Sequence, residues 1–213
     1  MKVSVPPMKC AICEERQPRR HCPGIRGEIC PICCGEQREN TIACPLDCTY
    51  LREARLREKP NYPANIPFSE VRISDRFVDE HKSAFMVAVS AVIRTTQEIA
   101  EAVDNDYREA FDALLRTLKT GESGLIYDTR PTNPIAGRVY DVTRREIEEG
   151  RKSLSERGKS IRDAEIFTAV LVLQRLEYRF NNGRTRGRSY IDSMLQHFAP
   201  DEVLNPPATS LIV

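Results

Sequence analysis

Histidine occurs only three times in the chain, at His21, His81 and His197. No Gly-rich phosphate loop, paired-carboxylate constellation, or Ser or Cys nucleophile with a histidine base is recognisable. An enzyme is therefore not expected. Long apolar runs are missing too. FMVAVSAVI (85–93) and TAVLVL (168–173) are among the longest, well below the ~18 residues of a membrane span, so no membrane partner is expected. The N-terminal MKVSVPPMKC lacks the apolar run of a signal peptide, which points to the cytoplasm. Neither charge dominates: 32 Lys+Arg face 31 Asp+Glu, a formal net charge of +1. No global field draws the chain to nucleic acid, and any such attraction must be local. With 40% apolar and 30% charged residues, the chain can bury a core.

Cysteine is abundant, but confined. All eight lie between positions 10 and 48. Without an export signal, such density points to metal rather than disulfides. Cys10-Ala-Ile-Cys13 and Cys30-Pro-Ile-Cys33 are C-x2-C knuckles, and two of them together match the spacing of a four-cysteine zinc site. Cys44-Pro-Leu-Asp-Cys48 has i, i+4 spacing ahead of the helical composition TYLREARLREK. This predicts Cys48 in a first helical turn, where exposed N–H groups favour thiolates. Cys34 directly follows Cys33. Treated as extended chain, adjacent side chains point to opposite sides, so the two cysteines serve different ions. The expected sets are Cys10, Cys13, Cys30 and Cys33 for one zinc, and Cys22, Cys34, Cys44 and Cys48 for a second. An exchange of Cys30 with Cys22, or entry of His21, would count equally well. A knuckle plus ligands at a helix start is the plan of a treble clef, and all-cysteine zinc is structural rather than catalytic.

The stretches CAIC, RHCPG, CPICC and CPLDC, over residues 10 to about 50, resemble the cross-braced zinc-finger group that includes RING, B-box and HIT-type fingers. The HIT-type pattern is nearest in flavour, but it expects another cysteine two residues beyond Pro23, where Ile25 stands. The resemblance implies a module that mediates protein contacts, with nucleic acid bound by only some members.

Past KPNYPANIP (59–67), whose three prolines read as a linker, the pattern is helical and no strand is expected. Phe77, Val78, His81, Phe85, Val89, Val92, Thr96, Ile99 and Val103 predict one helix from Asp75, capped by Ser74. Asp104 is expected to cap a second, bearing Tyr107, Phe111, Leu114, Leu115 and Leu118 and ending near Gly121. A third, over Ile135–Ser155, is so charged that it reads as peripheral. Asp163 is expected to cap an apolar helix over 164–180, and Ile191, Met194, Leu195 and Phe198 mark a short last one before a tail, NPPATSLIV. YDTRPTNP (127–134) suggests an Asp128–Arg130 link on a structured loop.

The fold class is thus mostly α: a small treble-clef-like two-zinc module (1–60) followed by an all-helical bundle (61–213). The loop NNGRTRGRS offers Arg184, Arg186 and Arg188 between glycines, a candidate anion site. Residues 2–59 carry eleven Lys/Arg against eight Asp/Glu, but two zinc centres of four thiolates, at a formal −2 each, reverse that sign. Arg16, Arg19 and Arg20 are accordingly expected to screen thiolates. The leading expectation is a zinc-binding adaptor or regulatory protein with a protein partner. The alternative is a nucleic-acid-associated zinc-finger protein using residues 184–188.

Overall fold

A computed structural model describes residues 8–58, 65–122 and 128–198. Residues 59–64 of the proline linker, Tyr127 and the tail NPPATSLIV lie outside the described residues. The described residues are mostly helical, with eight helices and one two-stranded sheet. No helix among them is long and apolar enough to cross a membrane. The chain divides into two compact units, one of Met1–Lys59 with Asn182–Arg188, the other of Pro60–Asn181 with Ser189–Val213.

In the first unit, β1 (Arg20–Cys22) pairs antiparallel with β2 (Gly27–Ile29), Arg20 opposite Ile29 and His21 opposite Glu28. Gly24 lies in the hairpin turn, where a Cβ would come within 2.7 Å of Ile42 Cγ2 and 2.8 Å of the Ala43 carbonyl. Helix α1 (Pro31–Gln37) starts with Cys30 as N-cap and Pro31 at its first position, a residue whose missing N–H costs nothing there. Helix α2 (Thr49–Arg55) follows Cys48, its N-cap. The predicted first-turn position for Cys48 is thus one residue out. The apolar core is small: Ile29 and Ile42 are packed among Cys10, Cys22, Cys30, Cys33 and Cys34.

The second unit holds α3 (Phe77–Glu80), α4 (Lys82–Glu98), α5 (Asp104–Glu122), α6 (Pro134–Glu156), α7 (Asp163–Phe180) and α8 (Ser189–Phe198). Both α4 and α5 pack against both α6 and α7, making a four-helix core with α8 laid on α4, α5 and α7. Tyr107, Phe111, Leu115, Val139, Ile166 and Leu171 are buried there, each side chain of this size worth about 1.5–3 kcal/mol. The stripe predicted as one helix from 75 to 103 is broken twice. At His81 the backbone leaves the helical region (φ −119°, ψ 37°), and the ring tilts over Phe77 and faces Glu165 at 3.4 Å. At the other end the Thr95 and Thr96 hydroxyls donate to the Ala91 and Ile93 carbonyls. Such back-bonding competes with the helical ladder, and the chain turns at Ile99.

Two expected caps also work differently. The Asp104 carboxylate accepts from the N–H groups of Tyr190 (3.0 Å) and Ile191 (3.1 Å), so it caps α8, far along the chain. Asp106 Oδ2 instead accepts the Val103 N–H at 2.9 Å. Asp163 is the first residue of α7, behind an Arg162 N-cap whose N–H donates to Glu165. Helix α6, expected at the periphery, buries Ala136, Val139, Tyr140, Val142, Thr143 and Ile147. Its charges pair outside that apolar stripe, where Arg138 meets Glu101, Arg145 meets Glu98 and the largely buried Glu146 meets Arg94. Charge content alone conceals such a divided helix. The Asp128–Arg130 pair is present at 3.5 Å. Tyr140, Arg144 and Arg130 around Asp128 hold its carboxyl below the ordinary range.

Candidate metal centre

The first knuckle is a turn closed by backbone. Cys10 N–H donates to the Arg16 carbonyl (2.9 Å), Glu14 N–H returns to the Cys10 carbonyl (2.9 Å), and Ala11 N–H ties the turn to Glu28 on β2 (2.8 Å). Glu14 takes the left-handed conformation this tight reversal needs (φ 55°). The second knuckle is a helix start. The Cys30 sulfur accepts the Cys33 N–H at 3.4 Å, and Cys30 N–H donates to Cys10 Sγ at 3.2 Å. Together these turns bring the sulfurs of Cys10, Cys13, Cys30 and Cys33 within 4.8 Å of one another. A tetrahedron with metal–sulfur bonds of ~2.3 Å has sulfurs about 3.8 Å apart, so a modest contraction would close these four around one ion.

The electrostatics agree with a cation site. Burial pushes the Cys10 thiol up, but N–H donors from Cys13, Cys30 and Ile12 outweigh it and pull the thiol down to about 6. Cys30 is lowered by the Cys33 N–H against burial, with help from Arg16. Arg16 Nη1 lies 3.8 Å from the sulfurs of both Cys30 and Cys33. Cys33 is pushed up to about 12 by burial and by the three neighbouring sulfurs. Four thiols at this spacing resist ionising together, and a divalent ion removes that conflict. Four sulfur ligands suit a metal such as zinc. These four residues could therefore hold one metal.

Cys33 and Cys34 do not lie in extended chain. Both are in α1, where successive side chains diverge by about 100° rather than alternating. The two cysteines still separate. Cys33 turns to the first group. Cys34 lines a small cavity together with Cys22, Cys44 and Cys48. Arg20 Nη1 donates to Cys34 Sγ at 3.5 Å and Arg38 Nη2 at 3.9 Å. Burial pushes the Cys44 thiol up against the Glu39 N–H that donates to it, and the nearby Glu39, Cys22 and Cys48 add to the rise. Among the described residues, only the first group is drawn together as closely as 4.8 Å. His21 lines the same cavity; it is exposed, with Nδ1 3.0 Å from its cross-strand neighbour Glu28.

Arg16 and Arg20 reach thiols as expected, whereas Arg19 makes no thiol contact among the described residues. The loop carrying Arg184, Arg186 and Arg188 belongs to this unit, and what organises it was not foreseen. Glu39 is fully buried with a left-handed backbone (φ 52°). Its carboxylate accepts from Arg55 Nη2 (2.6 Å), Asn182 Nδ2 (2.8 Å) and the Arg188 N–H (3.1 Å), while its carbonyl accepts the Arg186 N–H (2.7 Å). Arg184 Nη1 donates to the Arg38 and Gly35 carbonyls at the end of α1, where a cation is favoured. The Arg186 side chain is exposed, and the buried Arg188 Nε has no hydrogen-bond partner among the described residues. Gly187 fits because a Cβ there would sit 2.5 Å from Asn182 Oδ1. No sequence signal marks Glu39, whose partner Asn182 lies 143 positions away.

No protein-family model matches the chain, nor does any curated protein or solved structure.

Proposed function

From the four-cysteine cluster, we propose that residues 10–58 form a treble-clef-like, cross-braced module folded by two zinc ions. Cys10, Cys13, Cys30 and Cys33 hold one, and Cys22, Cys34, Cys44 and Cys48 hold the other. The chain acts as a cytoplasmic adaptor or regulatory protein that docks a protein partner. The observation that carries this reading is the gathering of four sulfurs, with no other ligand type, in the first cluster. Catalytic zinc keeps an open position and mixed ligands, whereas all-cysteine sites stabilise a fold. Four cysteines lining one cavity behind Arg20 and Arg38 support the second ion.

The test uses the whole chain as bait beside a Cys10→Ser/Cys13→Ser variant. Protein partners should be retained by the zinc-loaded chain and lost from the variant. Binding to random DNA and RNA should be weak at physiological salt. A steep fall of nucleic-acid affinity with salt, with no protein partner distinguishing the two baits, would favour the nucleic-acid alternative instead.

A further inference from the structure

A cleft of about 320 Å³ opens on the first unit, away from the four gathered sulfurs, and is lined by Arg20, Arg38, Arg57 and Arg184 around Tyr50, with Glu53 and Glu58 on its wall. We infer that this cleft binds a phosphomonoester, carried by the partner protein of the adaptor reading, on which the identity of the carrier rests.

Three of the guanidinium groups are held before any ligand arrives. Arg20 stacks on the Tyr50 ring at 4.4 Å and gives one N–H to Cys34. Arg38 gives one N–H to the same sulfur. Arg184 is anchored on the α1 carbonyls, with Nε 3.8 Å from Glu58. A guanidinium has five N–H donors in a rigid fork, so each keeps several for a ligand. Arg57 is exposed and has no side-chain partner among the described residues, which makes it the uncommitted cation of the set. Preorganised arginine forks are the usual means of gripping phosphate oxygens.

Charge narrows the ligand. Four guanidiniums against Glu53 and Glu58 leave two positive charges, and a phosphomonoester carries about −1.5 to −2 near pH 7. The Cys34 sulfur occupies an N–H of both Arg20 and Arg38, so Arg57 and Arg184 meet the ligand most directly. Carboxylates on the wall disfavour an extended polyanion, yet leave room for one compact dianion. The site also redefines the basic loop: Arg184 lines the cleft, while Arg186 and Arg188 do not.

The experiment titrates the zinc-loaded full chain with inorganic phosphate, a phosphoserine peptide, its unphosphorylated counterpart and an oligothymidylate. It follows the arginine Nε–Hε signals by NMR. Phosphate and the phosphopeptide should shift Arg57 and Arg184. Arg57→Ala should weaken both at least tenfold, Arg57→Lys should weaken them less, and Arg19→Ala should change nothing. Equal binding of the unphosphorylated peptide, unchanged affinity in Arg57→Ala, or tighter capture of oligothymidylate at the same signals would overturn the site. Metal content measured on the same samples separates the outcomes: lost phosphate binding with zinc retained overturns only this inference.

Discussion

Stripping metal with a strong chelator is expected to unfold residues 10–58 and release residues 182–188, while α4 to α8 keep their structure. The reason is the make-up of the first unit's core. Five of the seven residues in its buried cluster are cysteines, with Ile29 and Ile42 the remainder. Leu51 is the other fully buried large apolar side chain among the described residues of this region. So few apolar groups cannot offset the entropy of ordering the segment, whereas a structural zinc supplies about 10–16 kcal/mol in zinc-finger peptides. Among the described residues the helical unit holds no candidate metal cluster, and its core is Tyr107, Phe111, Leu115, Val139, Tyr140, Ile166, Leu171 and their neighbours. In amide NMR spectra, the dispersed signals of 10–58 should collapse on chelation and return when zinc is added back. Most helical circular dichroism should persist. Dispersed N-terminal signals after complete metal removal would show that the module folds without it.

The second large effect is expected at Glu39. Glu39→Ala takes the carboxylate from Arg55, whose side chain is 12% exposed, and from Asn182 and the Arg188 N–H. Removing one partner of a buried ion pair typically costs about 3–5 kcal/mol, and here the same carboxylate also fastens a loop. Glu39→Gln should cost less. One amide oxygen can still serve Arg55 and the Arg188 N–H, but its NH2 then opposes the Asn182 donor. Denaturant melts of the zinc-loaded protein give the cost. Hydrogen exchange should show the Arg186 and Arg188 amides opening faster, with the α5 and α7 amides unchanged. An Ala variant within about 0.5 kcal/mol of wild type, the range of an ordinary surface change, would remove Glu39 from its organising role.

How far the sequence carried depended on whether a feature was local. The two knuckles were legible because C-x2-C spacing is a turn property, and Cys10, Cys13, Cys30 and Cys33 do come together. The helices were legible from their apolar period, with breaks missed at His81 and Ile99, where no Pro or Gly punctuates the pattern. At Cys33 and Cys34 the geometry was misjudged. Cys30-Pro31 is a helix start, with Pro31 at the first position, and that signal was available. What could not be read were contacts spanning the chain. Asp104 capping α8, Glu39 gripping Asn182 and Arg184 closing α1 join residues 86 to 149 positions apart. Neither period nor spacing encodes such pairs. The sequence therefore marks the arginine loop only as a candidate anion site, while its backbone and Arg184 are engaged in the fold.

The central claim is that adjacent cysteines in α1 serve two different metal ions. Native mass spectrometry with elemental analysis, on zinc-loaded wild type and Cys34→Ser, tests it most directly. The account predicts two zinc ions in the wild type and about one in Cys34→Ser, whose Cys10, Cys13, Cys30 and Cys33 remain intact. A single ion in both proteins would contradict it.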